Sequence, residues 1–224
     1  MTGVSRKPAS SGAFRLPPLY PIIDVDLCRM RGLDPVAFAA SCVRGGAQLV
    51  QVRQKGNAGG TAALLAVVRG VVGEGRAAGT RVIVNDRADV AAMSGADGVH
   101  VGQQDLPPSA ARLVAGADSV IGISTHTREQ IDEAAAGPAD YIAVGPIFRT
   151  TTKETGYDPR GLDLLEYAAR TGRPVVAIGG ITSVNARDAL NAGASAVAII
   201  GDLLSEADPE RRVREFLDIV TIGQ

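Results

Sequence analysis

The chain has 224 residues, of which 46% are apolar and 21% are charged, and its formal net charge is -1. This is enough apolar material for one substantial core, and so balanced a charge gives no reason to expect a nucleic acid or a membrane surface as partner. No apolar run approaches the roughly 20 residues that a membrane-spanning helix needs. Cys28 and Cys42 lack metal-ligand spacing and are interpreted as reduced thiols, so the protein is expected in the cytosol.

The first 17 residues are small, polar and lightly basic. They lack the apolar centre of a signal peptide, and we predict a flexible N-terminal tail over residues 1–17. Residues 18–224 are predicted to form a single catalytic domain.

Eight short runs rich in Val and Ile follow, each closed by a polar residue or glycine and followed by an amphipathic stretch. They are LYPIID (19–24), QLVQV (48–52), VIVN (82–85), GVHV (98–101), VIGI (120–123), YIAV (141–144), PVVAI (174–178) and AVAII (196–200). Strands that alternate with helices predict a parallel sheet, because parallel neighbours need a crossover between them. Eight such units predict a closed (β/α)8 TIM barrel, with an open doubly wound sheet as the alternative.

Residues between these runs that typically begin or end helices support the count of eight strand–helix units. Asp34-Pro35, Asp208-Pro209 and the Thr127/Gln130 pair have the spacing of helix starts. One phrase recurs before several strands, as GGAQLVQV (45–52), SGADGVHV (94–101), GPADYIAV (137–144) and AGASAVAI (192–199). We interpret the phrase as structural, marking the floor of the barrel.

Functional side chains are expected where the strands end, because barrel enzymes build their sites from the loops at that face. In chain order the candidates are Gln51, Arg53 and Lys55 after the second strand, Asn85 and Asp86 after the third, Gln104 and Asp105 after the fourth, and Ser124 after the fifth.

Two carboxylates, Asp86 and Asp105, stand on neighbouring loops without a Cys or His cluster nearby in sequence. Such hard oxygen ligands suit Mg2+, which is usually held by one or two carboxylates and by substrate phosphate oxygens. Arg53 and Lys55 fit a diphosphate that carries more charge than Mg2+ neutralises. The alternatives are that Asp86 caps a helix, that Asp105 is a turn residue and that the cations are surface charge.

Loops late in the chain suit a second anion. Thr150, Thr151, Thr152 and Lys153 offer hydroxyl donors and a mobile ammonium group after the sixth strand. The runs GGIT (179–182) and IIGD (199–202) follow the seventh and eighth strands, where this fold usually seats a phosphate monoester. Gly180 and Gly201 would let the backbone approach the phosphate closely.

These residues resemble the thiamine phosphate synthase family over about residues 19–220. The matching motifs are QVRQK (51–55), VNDRADVA (84–91), GVHVGQQD (98–105), GIST (122–125), GPIFRTTTK (145–153) and AIGGIT (177–182). The resemblance implies joining of a hydroxymethylpyrimidine diphosphate to a thiazole monophosphate with release of pyrophosphate. Arg149 and Gly201 depart from the family, which usually has proline and often serine there.

The resemblance also distributes the site residues. It implies that the pyrimidine diphosphate is held by Gln51, Arg53, Lys55, Asn85, Ser124 and Lys153, that Mg2+ is held by Asp86 and Asp105, and that the thiazole phosphate is held by Thr150, Thr151, Thr152, Gly180, Ile200 and Gly201.

Arg53, Lys153 and Ser124 are the predicted catalytic residues, with the two cations stabilising the departing pyrophosphate. Ser124 is interpreted as a binding hydroxyl, since a lone serine without a positioned base is a poor nucleophile. His100 and His126 are kept outside the catalytic set. A thiazole tautomerase and a phosphate-sensing barrel are the alternative functions. The expected partners are small-molecule substrates, and a homo-oligomer is left open.

Overall fold

A computed structural model describes residues 14–150, 157–205 and 207–221 of the chain. The strands are β1 (Leu19–Asp24), β2 (Leu49–Arg53), β3 (Arg81–Asn85), β4 (Gly98–Val101), β5 (Val120–Thr125), β6 (Tyr141–Val144), β7 (Val175–Ile178) and β8 (Ala196–Ile199). The helices are α1 (Val25–Met30), α2 (Pro35–Arg44), α3 (Gly60–Ala78), α4 (Ala88–Ser94), α5 (Pro108–Ala115), α6 (Arg128–Ala136), α7 (Gly161–Ala169), α8 (Ala186–Asn191), α9 (Gly201–Leu204) and α10 (Pro209–Thr221).

The eight strands form one closed parallel barrel in sequence order. β8 pairs with β1 in parallel, with Leu19 opposite Val197, and this pairing closes the sheet. The predicted TIM barrel is therefore confirmed and the open doubly wound sheet is excluded. All eight predicted strands are present, with bounds that shift by at most one or two residues.

Alternation along the strands divides the core into two layers. Leu19 and Ile23 of β1 face the helices, where they join a large apolar cluster that continues into α2, α3 and α10. Tyr20 and Ile22 face the barrel interior with inward side chains from the other strands. Because successive side chains of a strand point to opposite faces, one strand supplies both layers.

The floor of the barrel is held by a repeated side-chain clamp, which we call the floor clamp and which consists of Asp97, Asp140 and Ser195. Each residue immediately precedes β4, β6 or β8 within the repeated phrase. Asp97 accepts from the Val82 amide at 2.8 Å, Asp140 from the Ile121 amide at 2.7 Å, and Ser195 from the Val175 amide at 3.2 Å. The backbone amides of the three residues bond back to the carbonyl oxygens of the same partners. The repeated phrase therefore fixes neighbouring strands to each other at their starts.

The predicted helix starts are also confirmed. Asp34 accepts from the amides of Val36 and Ala37, and Asp208 accepts from the Arg211 amide at 3.0 Å. Thr127 accepts from the Gln130 amide at 3.3 Å. These carboxylates and this hydroxyl satisfy amides that the first helical turn leaves without a partner.

Most of the predicted tail, residues 1–13, lies outside the described residues. Phe14 and Leu16, from its last part, pack against the inner cluster at the floor, and the Arg81 guanidinium lies 5.2 Å from the centre of the Phe14 ring. Among the described helices, none has the length and apolar character required to cross a bilayer.

Candidate active site

The carboxyl ends of the strands open into a cavity of about 450 Å³ at the mouth of the barrel. Five of the predicted site residues line it, namely Ser124, Thr150, Gly180, Ile200 and Gly201. A narrow extension below it is lined by Gln51, Arg53 and Asn85, and Ser124 and Ile200 border both spaces. The structure thus brings the candidates from β2, β3, β5, β7 and β8 to one mouth. Thr151, Thr152 and Lys153 lie outside the described residues.

Arg53 is held in place by a carboxylate that the sequence analysis did not select. The registers of β1 and β2 set Asp24 directly opposite Arg53, and the Arg53 guanidinium donates to Asp24 Oδ2. Asp24 is only 2% exposed, and its other oxygen accepts from the Leu27 amide at the start of α1. One buried carboxylate therefore caps a helix and orients a cation towards the site.

Lys55 reaches the acidic side of the mouth. Its ammonium group contacts Asp86 Oδ2. The backbone amides of Lys55 and Gly56 both donate to Asp26 Oδ2, at 2.9 and 2.8 Å, so Asp26 fixes the turn that carries the lysine. Lys55 is therefore a positioned cation.

Asp86 and Asp105 come together as the sequence predicted. Their carboxyl groups lie within hydrogen-bonding reach of each other, and burial, followed by the contact with Asp105, raises the pKa of Asp86 against the opposing effect of Lys55. Asp86 has a φ of 62°, in the left-handed region, and its Oδ2 contacts the Lys55 ammonium group. Two close carboxylates repel each other when both are charged, and a cation between them would relieve the repulsion.

The alternative roles for these two aspartates are resolved differently. α4 begins at Ala88 after Arg87, without a side-chain cap, so Asp86 is not the capping residue of that helix. Asp105 does close a turn, because its Oδ2 accepts from the Gly102 amide at 2.8 Å. Within the described residues no set of three His, Cys, Asp or Glu side chains is grouped for metal binding. The acidic pair thus offers part of a coordination shell.

The opposite side of the mouth is built from backbone and arginine. Gly180 has a φ of 68°, and its carbonyl accepts from Asn185 Nδ2 at 2.9 Å while Asn185 Oδ1 accepts from the Thr182 amide at 2.8 Å. Arg31 and Arg149 both line the cavity here. The Asp202 carboxylate also lies here, but Arg212 pairs with it at 2.6 Å. The balance of charge on this side therefore favours an anion.

Asn85 carries an unused donor. It is only 8% exposed, and its Nδ2 has no hydrogen-bond partner. Leaving a buried donor without a partner costs about 1–3 kcal/mol. Because Asn85 borders the narrow extension of the cavity, an acceptor on a bound molecule can satisfy it.

Ser124 does not stand alone, contrary to the sequence-based argument. His100 Nε2 lies 2.8 Å from Ser124 Oγ, and His100 Nδ1 lies 3.0 Å from the Tyr141 hydroxyl. The Tyr141 hydroxyl is 2.9 Å from that of Tyr20, which accepts from Gln51 Nε2 at 3.0 Å. Five strands thus contribute to one buried chain, which we call the hydroxyl relay: Gln51, Tyr20, Tyr141, His100 and Ser124.

His126 lies beside the cavity and outside the relay. Its Nδ1 is 2.6 Å from the carbonyl oxygen of Gly145, and its ring stacks on Tyr157 with 4.3 Å between centres. Both contacts hold the ring against the start of the loop after β6. The structure therefore gives His126 a local packing role.

Several residues of the site were missed by the sequence analysis. Asp24 ends a predicted strand as the selected residues do, so the same criterion would have found it. Arg31 had no motif. Tyr20 and Tyr141 read as ordinary inward strand residues, and only the closed barrel brings them together.

Comparison with known proteins shows which family the chain resembles over most of its length. The family described as thiamine monophosphate synthase matches residues 19–203. A thiamine-phosphate synthase of Koribacter versatilis is 42% identical over 218 residues, covering 94% of this chain and 99% of that protein. One from Roseiflexus castenholzii is 40% identical, covering 90% of this chain and 87% of that protein. The solved thiamine phosphate pyrophosphorylase of Pyrococcus furiosus superposes with a TM-score of 0.80 at 30% identity, over 91% of this chain and 95% of that one.

Proposed function

The chain belongs to the thiamine monophosphate synthase family, and we propose that it joins a pyrimidine diphosphate to a thiazole monophosphate at the mouth of its barrel. It is a transferase of the thiamine-phosphate synthase type. The observation that carries the assignment of the site is that one mouth holds two separate regions for anions. The region of β2 to β4 has two cations and a carboxylate pair, whereas the region of β7 and β8 has backbone and arginine.

The diphosphate belongs on the β2 to β4 side. Arg53 and Lys55 are both positioned by aspartates, and Asn85 offers a buried donor without a partner. Asp86 and Asp105 would hold Mg2+, since their two carboxylates are close, and burial together with the contact to Asp105 raises the pKa of Asp86. When bound there, Mg2+ supplies positive charge to the diphosphate oxygens. Arg53, Lys55 and the metal would each supply a positive contact to the diphosphate.

The monophosphate belongs on the β7 and β8 side. Gly180 and Gly201 line this side without a side chain, Ile200 lies beside Gly201, and Thr150 lies on the adjoining loop. Arg31 is an additional cation at this seat. At position 201 the family often has a serine, whereas this chain has Gly201 and therefore no hydroxyl. Arg149 replaces the usual proline with a further positive charge. Both arginines support binding of a phosphate monoester.

The bond changes follow from this placement. The bond between the pyrimidine methylene carbon and the diphosphate oxygen breaks, and the thiazole nitrogen forms a bond to the same carbon. Arg53 and Lys55 stabilise the negative charge that develops on the pyrophosphate as it leaves, and Lys153 is proposed to do the same. The walls of the cavity limit the access of water to the cationic methylene. The reaction needs no protein nucleophile.

The proposal is tested by incubating the protein with both substrates and Mg2+ and measuring pyrophosphate. We expect one pyrophosphate per thiamine phosphate formed. A tautomerase or a phosphate sensor would release no pyrophosphate, and that result would overturn the proposed reaction.

Two matched arginine variants test the two regions separately. Arg53→Ala is expected to weaken binding of the pyrimidine diphosphate on the order of tenfold or more and to spare the monophosphate. Arg31→Ala is expected to do the reverse, and Arg69→Ala on the outer face of α3 serves as the control. Calorimetric titration of each variant with each substrate gives the answer. Equal losses for both ligands in both variants would refute the division of the mouth.

Two further expectations stay part of the proposal. The reaction is placed in the cytosol, where the buried Cys28 and Cys42 would remain reduced thiols. A homo-oligomer remains open.

A further inference from the structure

The contact between His100 and Ser124 raises a question about the proposed reaction. A serine hydroxyl 2.8 Å from a histidine nitrogen has the geometry of a nucleophile with its base. It has the same geometry if the histidine donates and the serine accepts. The position of one proton on the ring of His100 decides between these roles.

The rest of the hydroxyl relay determines where that proton lies. Gln51 Nε2 donates to the Tyr20 oxygen, and among the described residues the acceptor within reach of the Tyr20 hydroxyl is the Tyr141 oxygen, so the arrangement that gives every buried proton an acceptor has Tyr20 donating to Tyr141. The single proton of Tyr141 is left to bond His100 Nδ1, which must accept it. A neutral imidazole with an accepting Nδ1 carries its proton on Nε2.

We propose that Tyr20 and Tyr141 are positioning residues that hold His100 as the Nε2–H tautomer, so that Ser124 accepts from His100 and directs its own proton at the substrate. His100 in this form is not a base for Ser124. Ser124 is therefore a hydrogen-bond donor to the pyrimidine diphosphate. This step rests on the proposed function for the identity of the ligand.

The charge of the proposed ligand agrees with this direction. Phosphate oxygens accept hydrogen bonds and do not donate them at neutral pH, so the end of the relay that faces them must donate. If the hydrogen bonds of the relay had the opposite direction, Ser124 would donate to His100 and could only accept a hydrogen bond from the substrate. Burial raises the pKa of both Tyr20 and Tyr141 above the usual range, so both hydroxyls keep the protons that the relay needs.

Gly122 provides separate support that the barrel is built around this relay. His100, Gly122 and Tyr141 are aligned across β4, β5 and β6 by the strand registers. A Cβ at Gly122 would lie 2.1 Å from Tyr141 Cζ and 2.5 Å from His100 Nδ1. Only glycine leaves room for the two side chains to meet across the strand between them.

His126 gives the protein an internal reference. Its Nδ1 lies 2.6 Å from the Gly145 carbonyl oxygen, which can only accept, so Nδ1 carries the proton. The chain has 2 histidines in total. The structure therefore assigns opposite tautomers to the two histidines of one protein.

Nitrogen NMR of the protein labelled with 15N-histidine tests this assignment without any substrate. At a pH at which both rings are neutral, we expect the pattern of Nε2–H for one ring and of Nδ1–H for the other. The His126→Gln variant assigns the two patterns. An Nδ1–H pattern for His100 in the unaltered protein would overturn the proposal.

Variants that keep the aromatic rings test the two tyrosines. Tyr141→Phe removes the donor to His100 Nδ1, so the His100 pattern should change from one tautomer to a mixture. We expect kcat/KM for the pyrimidine diphosphate to fall about tenfold, the size of one lost hydrogen bond, while affinity for the monophosphate holds. Tyr20→Phe removes the donor to the Tyr141 oxygen, which can then accept from His100 Nδ1, so the His100 pattern should also shift towards a mixture, by less than in Tyr141→Phe. The control is Tyr167→Phe, which loses a hydroxyl bonded to Asp132 on the outer surface.

A second pair of variants does not depend on the tyrosines. His100→Gln keeps an amide donor near the position of Nε2, whereas His100→Leu keeps none. The glutamine variant should retain about tenfold more activity than the leucine variant. Equal activities, or an unchanged His100 pattern in Tyr141→Phe, would overturn the relay. Absence of pyrophosphate release from the unaltered protein would refute the proposed function and leave the NMR assignment unaffected.

Discussion

Gly122 permits a quantitative prediction, because the space that surrounds it is known. In Gly122→Ala the new Cβ would lie 2.1 Å from Tyr141 Cζ and 2.4 Å from Tyr141 Oη, whereas carbon atoms in contact are about 3.5–4.0 Å apart. Two buried rings or the strand must therefore move by more than about 1 Å. Overpacking costs about 1–3 kcal/mol, and losing the bond between Tyr141 and His100 adds about 1 kcal/mol. We expect Gly122→Ala to lower the free energy of unfolding by about 3 kcal/mol.

The assay is urea unfolding followed by circular dichroism. Gly73→Ala, on the exposed face of α3 with nothing within 4 Å of the new Cβ, is the matched control and should raise the free energy of unfolding by about 0.5–1 kcal/mol. Combining Gly122→Ala with Tyr141→Leu frees the space, so the double variant should lose at least about 1 kcal/mol less than the sum of the single losses. A Gly122→Ala protein within about 0.5 kcal/mol of the unaltered one, or strict additivity, would refute the packing argument.

Four further predictions concern the mouth and the thiols. Asp86→Asn and Asp105→Asn should fold but lose most turnover and Mg2+ response, and full turnover of both variants after chelation would contradict the metal assignment. The pKa of Asp86 is raised in the folded protein, so its ionisation lowers the free energy of unfolding as the pH rises from the ordinary aspartate pKa to the raised one. Asp86→Asn removes this effect and should unfold at the same or a higher urea concentration at neutral pH. Burial raises the pKa of Cys28 to about 11 and that of Cys42 to about 12, so neither should react with a thiol reagent at pH 8 until the protein is unfolded, and prompt labelling of the native protein would contradict this. Lys153 lies outside the described residues, and Lys153→Ala should lower the single-turnover rate by a factor on the order of 100, which is more than it weakens substrate affinity. An unchanged rate of the chemical step would mean that Lys153 contributes to binding alone.

The barrel was predictable because its signals are local. Each strand is a short apolar run that ends at a polar residue or glycine. The helix starts at Asp34 and Thr127 can be recognised from the neighbouring residues alone. The gathering of Arg53, Asn85 and Ser124 at one mouth followed from the fold, since the carboxyl ends of all the strands meet there. Sequence therefore predicted that these three side chains lie at one mouth.

Sequence did not predict how those side chains are held. Tyr20 and Tyr141 are 121 residues apart and meet only when β1 and β6 face each other across the closed barrel. The pairing of Asp24 with Arg53 depends on the register of two strands, which a single sequence does not specify. The left-handed backbone of Asp86 also has no sequence signal, because aspartate usually adopts the ordinary regions. Partners distant in sequence and unusual backbone conformations required the coordinates.

The floor clamp has a consequence for how such a protein changes over evolutionary time. Asp97, Asp140 and Ser195 fix the strand starts at the end of the barrel away from the mouth, so these contacts are separate from the residues that meet the substrates. Replacements such as Arg149 and Gly201 can therefore accumulate at the mouth with little effect on the assembly of the sheet. The clamp joins the later strands in pairs, β3 with β4, β5 with β6 and β7 with β8. A replacement at the carboxyl end of one such pair therefore leaves the clamp at the start of that pair intact.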